Sequence, residues 1–233
     1  MKLASLLTCA AALSAGALSV SASAAVYIPG AFNGWTDTTL MTESPPASGV
    51  FTYSATGLAA NSFQQFVLAA DPGYANKYIP SGDQWLTANG SGDLTVGFST
   101  NTISDGWSPA ANRVSTSNPE SAWTAVGDWQ GWNNANPATA MSLLSGNIYS
   151  YSTTLAPGSY QYKAVATGSW NAIGSDSRSV NANTLGFTTD AVLNQVQFLV
   201  DAGAGTIRVN VTPTPGAAGL LGLGGLLAAR RRR

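Results

Sequence analysis

The chain has 233 residues, only 9% of them charged, with no histidine and one cysteine, Cys9. Average proteins carry roughly 25% charged residues, and the missing histidine removes the commonest general base and metal ligand. Away from the two ends, five basic residues (Lys77, Arg113, Lys163, Arg178 and Arg208) face all eleven acidic ones. A mildly acidic body with no basic patch is not expected to bind nucleic acid.

Residues 1–24 read as an export signal. Met1-Lys2 gives a minimal positive start, residues 3–20 are apolar and small, and Ala22-Ser23-Ala24 offers a signal-peptidase cleavage site. Cys9 lies inside this segment, and Thr8 before it does not suit lipidation. The mature chain then begins near Ala25 with no thiol, disulfide or cysteine metal ligand.

The body repeats itself. Gly30-Ala31-Phe32-Asn33-Gly34-Trp35 lies over Gly127-Asp128-Trp129-Gln130-Gly131-Trp132. In the same register Gly49 lies over Gly146, Phe51 over Ile148, and Ser62-Phe63-Gln64 over Ser159-Tyr160-Gln161. Further on, Gly97-Phe98-Ser99-Thr100 resembles Gly186-Phe187-Thr188-Thr189, and Arg113-Val114 resembles Arg208-Val209. Two domains are therefore expected, 25–117 and 118–212, with 115–121 as linker.

Both units read as strands. In the second, residues 123–127, 148–155, 160–166, 192–201 and 206–211 are rich in β-branched and aromatic residues. Ala156-Pro157-Gly158, Thr167-Gly168-Ser169 and Asp201-Ala202-Gly203 supply turns between them. The expected fold class is all-β, with two tandem β-sandwiches.

Gly127-Asp128-Trp129-Gln130-Gly131-Trp132-Asn133 resembles the first-strand signature of early-set, immunoglobulin-like glycogen- and starch-binding modules. Pro157-Gly158-Ser159-Tyr160-Gln161-Tyr162-Lys163 looks like their central hairpin, and Gly168-Ser169-Trp170 follows as in that family. Asn194 stands near the family's asparagine before the next strand. The resemblance covers most of residues 123–211. It implies an immunoglobulin-like sandwich and a carbohydrate site, although some such modules only pack against a catalytic domain.

A sugar site needs flat aromatic faces and hydrogen-bonding groups. Trp132 and Trp170 are the candidate platform, and Lys163 and Asn194 the candidate polar contacts. Strand alternation puts Tyr160, Tyr162 and Ala164 on one face and Gln161, Lys163 and Val165 on the other. With the tyrosines in the core, Lys163 points outward. Trp129 is assigned to the core. In the first copy Trp35 matches Trp132, but Phe66 takes the position of Lys163 and no Gly-Ser-Trp follows. Tyr74 and Lys77 are its substitute candidates, and that copy is expected to be structural.

Catalysis is not expected. A hydrolase without histidine or cysteine needs paired carboxylates, and the two glutamates, Glu43 and Glu120, stand beside prolines in predicted loops of different domains. No cofactor or metal is expected either. Asn89-Gly90-Ser91-Gly92-Asp93 lacks calcium-loop spacing and reads as a hairpin turn.

The last segment, 213–233, contains Pro213-Thr214-Pro215, then fourteen residues of Gly, Ala and Leu, then Arg230, Arg231, Arg232 and Arg233. Fourteen helical residues reach only about 21 Å, short of a core about 30 Å thick. This expected apolar helix suits a transient membrane pause, with the arginines cytoplasmic. The proline motif, apolar run and arginine cluster resemble PEP-CTERM sorting signals, except that Thr214 replaces the usual glutamate. That resemblance implies an exosortase-like processing enzyme as partner, besides signal peptidase, and at least transient membrane contact. The chain thus reads as an exported, non-catalytic cell-envelope or matrix protein. Its second sandwich is expected to bind α-glucan or exopolysaccharide. The alternative is a structural or adhesion protein with no sugar affinity.

Overall fold

The structure is a computed structural model that describes residues 25–214. The export signal with Cys9, Pro215, the apolar tail and Arg230 to Arg233 lie outside the described residues. Pro213 lies inside them, as the last residue of the final strand.

The chain is all-β. Its first part forms β1 (Thr42–Glu43), β2 (Val50–Ala55), β3 (Phe63–Phe66), β4 (Gln84–Thr87), β5 (Leu94–Ser99) and β6 (Arg113–Ser115). Its second part forms β7 (Trp123–Gly127), β8 (Ser142–Ser145), β9 (Ile148–Thr154), β10 (Gly158–Ala166), β11 (Asn171–Gly174), β12 (Ser177–Val180), β13 (Leu185–Thr189), β14 (Leu193–Asp201) and β15 (Thr206–Pro213). Strands 123–127, 148–155, 160–166, 192–201 and 206–211 were all expected close to these bounds. β8, β11, β12 and β13 were not, being short and rich in Ser, Gly and Asn.

Two four-stranded sheets share one order, β1-β2-β5-β6 and β8-β9-β14-β15. The repeat is thus a repeat of topology. It also corrects one correspondence. β5 takes the place of β14, so Gly97-Phe98 is not the counterpart of Gly186-Phe187, which stands on β13.

The third sheet has seven strands and crosses the repeat boundary. β7 and β13 both pair with β10, which continues through β11 and β12 to β4 and β3. The crossing is one paired position, Ser179 to Gln84, reinforced by a Val180 N–H bond to the Asp83 carbonyl of 2.9 Å. Residues 25–30 run along the far side of β3 through bridges at Tyr27–Ala69 and Gly30–Phe66.

Alternation along β4 shows how one sheet serves two cores. Leu86 packs with Phe66, Phe51, Val96, Phe98 and Val114 in the first core. Its neighbour Trp85 points the other way, into the second core with Trp123, Tyr162, Ile173 and Phe198. Consecutive strand residues face opposite sides. The β1-β2-β5-β6 sheet therefore covers one face of the long sheet, and the β8-β9-β14-β15 sheet covers the opposite face further along.

The segment expected to be a linker is packed. Thr116 N–H donates to the Gly203 carbonyl (2.8 Å), and Glu120 pairs with Arg178 at 3.0 Å. Arg178 is fully buried, its guanidinium 4.9 Å from the Trp85 ring and 5.7 Å from Trp123. Burial pulls its pKa down, against the opposing pull of Glu120. Segment 89–93 is a tight turn, held by Asn89 Oδ1 accepting from Ser91 and Asp93 N–H. It passes the chain between two sheets rather than closing a hairpin.

Candidate functional site

Each repeat opens with the same backbone device. Gly30 and Gly127 are extended, a 3-10 turn follows, and two left-handed residues end it. These are Gly34 and Trp35 (φ 65° and 60°) and Gly131 and Trp132 (φ 70° and 57°). Trp35 N–H returns to the Gly30 carbonyl at 2.8 Å, and Trp132 N–H to the Gly127 carbonyl at 3.2 Å. A tryptophan held left-handed is costly and local in origin. In the second repeat this bend lays Trp132 over the outer face of the long sheet, against Val126, Val165, Ala172 and Ala182. Its indole N–H donates to Asp128 Oδ1 at 3.2 Å.

Trp170 reaches the same face from the other side. The turn at Gly168 (φ 81°) is stitched to the Trp132 loop by Asn134: its carbonyl accepts from Gly168 N–H at 2.9 Å, and its amide donates to Ser169 O at 3.1 Å. Trp170 is 42% exposed and Trp132 half-buried. Lys163 lies on this face, paired with Val126, while Tyr162 fills the core behind it. Lys163 as a residue is 8% exposed. It donates to the Ala182 carbonyl at 3.2 Å and sits 5.4 Å from the Trp170 ring. Burial lowers its pKa, and Asp176 pulls weakly the other way. The structure therefore brings Trp132, Lys163 and Trp170 to one face.

Asn194 stands apart from that group. It belongs to β14 in the facing sheet, beside Leu155, and its side-chain oxygen is buried with no hydrogen-bond partner among the described residues. The asparagines tied to the Trp170 turn are Asn134, through its amide to the Ser169 carbonyl, and Asn181, through its backbone N–H to the Trp170 carbonyl. Sequence order could not find them, because a loop and a turn distant in the chain bring them there. Trp129 joins the core, stacked on Phe198 at 4.3 Å.

Beyond Trp132 the same face opens into a groove of about 520 Å³, lined by Asp128, Ser159, Gln161, Gly186 and Thr188 among others. Asp128 joins the two areas. One carboxylate oxygen holds the Trp132 indole, and the other accepts from Gln161 N–H at 2.7 Å.

The first repeat carries no such face. The register assigns the Lys163 position to Val67, not Phe66. Gly30 faces Phe66 as Gly127 faces Tyr162, and Val67 N–H bonds to the Pro29 carbonyl where Lys163 pairs with Val126. Phe66 is thus the counterpart of core Tyr162, and both are fully buried. Trp35 is 37% exposed, and its carbonyl accepts from the Tyr74 hydroxyl at 2.9 Å. Lys77 pairs loosely with Asp83 at 3.9 Å.

The two glutamates have structural partners. Glu43 accepts from Gly49 N–H at 2.7 Å, and Glu120 meets Arg178. Among the described residues no cluster of His, Cys, Asp or Glu has metal-binding geometry, and no helix is long and apolar enough to cross a membrane.

No curated protein matches the chain. Among solved structures it is similar to SusF from Bacteroides thetaiotaomicron, at 14% identity and a TM-score of 0.30, covering 82% of this chain. The chain spans about half, 49%, of that structure's length. Residues 117–204, which hold the Trp132, Lys163 and Trp170 face, match the family model described as the pullulanase X25 domain.

Proposed function

We propose that this is an exported, non-catalytic cell-envelope protein that binds α-glucan through the outer face of its second repeat. The observation that carries the reading is the convergence of Trp132, Lys163 and Trp170 on one face of the long sheet, with Trp170 exposed. The match of residues 117–204 to a pullulanase domain supports a glucan as the ligand class. Trp170 is the chief stacking surface. Lys163, with its ammonium under the Trp170 ring, holds that ring in place by a cation–π contact. Asn134 holds the two tryptophan loops together. Export rests on the signal-like residues 1–24, and envelope attachment on the PEP-CTERM-like tail with Pro213, Pro215 and Arg230 to Arg233. A processing enzyme of the exosortase kind and transient membrane contact follow from that tail.

Affinity electrophoresis through glycogen or amylopectin tests the reading. Wild-type protein is expected to be retarded, and the Trp132→Ala/Trp170→Ala double variant is expected to run freely. Equal mobility of the two would remove the sugar site. A structural or adhesion role remains the second reading. It is favoured by β8, an edge strand exposed along its length with Leu143 and Leu144 59% and 58% accessible.

A further inference from the structure

We propose that the groove beside Trp132 continues the glucan path, so that the site holds a run of glucose units along a chain rather than one or two. This rests on the α-glucan reading and adds to it a preference for chain length. Ser159, Gln161 and Lys163 alternate along β10 on one face, a span of about 14 Å at ~3.4 Å per residue. Lys163 belongs to the aromatic platform and Ser159 and Gln161 to the groove, so one strand underlies both. Asp128 bridges them, with one oxygen on the Trp132 indole and one on the Gln161 backbone.

The chemistry of the groove fits a neutral polyhydroxylated chain. Hydroxyls of Ser159 and Thr188 and the amide of Gln161 can each donate and accept. No cationic side chain lines it, so an anionic polymer would find no partner. Its volume of about 520 Å³ falls in the range of roughly 300–1,000 Å³ usual for small-ligand sites. Gly186 adds no side chain to this space. Gly186 pairs directly with Gln161 across the strands, and a Cβ built there meets nothing within 4 Å. Any larger side chain at this position would project into the groove without strain on the sheet.

That vacancy provides the test. Calorimetric titration of the full chain with linear maltooligosaccharides of three and seven glucose units is compared for wild type, Gly186→Leu and Ser159→Leu. The longer sugar offers more registers even to a short site, so the two blocked variants set the baseline. Wild type is expected to prefer the long sugar by about tenfold more than either variant, with the short sugar bound alike by all three. Two variants on opposite strands guard against a folding defect in one. The same length preference in wild type and both variants would overturn the groove. Wild type binding neither sugar would instead remove the α-glucan reading itself.

Discussion

Gly30 and Gly127 open the same turn, and from there the two repeats diverge in what their outer faces are used for. In the second repeat the face beyond β10 carries Lys163 and lies open to solvent at Trp170. In the first, the equivalent position is Val67, and the same face of β4 presents Trp85 to the neighbouring core. The first repeat has spent its outer face on completing the second. A duplicated module can keep its backbone device and its strand order while only one copy retains a surface on which to bind. The copy without the site is not idle, because the core behind the site contains its tryptophan.

That comparison is broken most severely at Trp85. Its indole donates to the Ala172 carbonyl at 2.9 Å, and its ring lies against Arg178 and Trp123. Trp85→Ala should cost about 3–5 kcal/mol, the range for deleting a buried aromatic side chain. Because Trp85 comes from the first repeat and packs in the second, the described body should unfold in one transition before and after the change. Two calorimetric transitions, with only one displaced by Trp85→Ala, would mean that the repeats are independent after all.

A finer test compares the shared glycines. A Cβ at Gly127 would stand 2.0 Å from the Trp129 ring and 2.2 Å from the Gln161 carbonyl oxygen, which is backbone and cannot swing away. At Gly30 the nearest atoms are at 2.7 and 2.8 Å, on Phe66 and Gln65. Gly127→Ala should therefore destabilise by about 3 kcal/mol and Gly30→Ala by about 1–2 kcal/mol, within the usual cost of overpacking. Urea denaturation of both variants gives the order, and a larger loss at Gly30 would show that the close contacts at Gly127 do not set the cost.

The sequence made the local part of this legible. The Gly-Trp turn motif, the long strands rich in Val, Phe and Tyr, and the burial of Tyr162 behind Lys163 all follow from residue type and period two. What could not be read was set by partners distant in the chain. The joining of β4 to β12 depends on Ser179 meeting Gln84, and neither residue has strong strand propensity. Register slipped by one between Gly30 and Phe66, because an ungapped comparison cannot see a single-residue difference in the intervening loops. That slip put Phe66 rather than Val67 over Lys163. Asn194 has the expected place in chain order, but that order leaves it on β14 in the facing sheet, whereas Asn134 reaches the Trp170 turn through its loop contacts.

The smallest effect separates two loop carboxylates, one in each repeat. Asp105 receives both Arg113 guanidinium nitrogens at 2.8 and 2.7 Å and the Trp107 N–H at 3.0 Å. The bidentate Arg113 contact holds its pKa well below the usual carboxylate range. Asp190 accepts from Leu193 and Val192 N–H at 2.6 and 2.7 Å, and those backbone bonds lower its pKa as well. A carboxylate whose pKa is lower folded than unfolded contributes stability above its unfolded pKa of about 3.9, and loses it as pH falls through the folded value. Both Asp105→Asn and Asp190→Asn should therefore flatten the fall in stability below about pH 4. Only the Asp105 contribution should also shrink with added salt, since its partner is a charge and partly exposed pairs are screened. Acid titration of the unfolding midpoint at low and high ionic strength measures the difference. Equal salt sensitivity of the two variants would mean that the Arg113 pairing does not set the acid response of the first repeat.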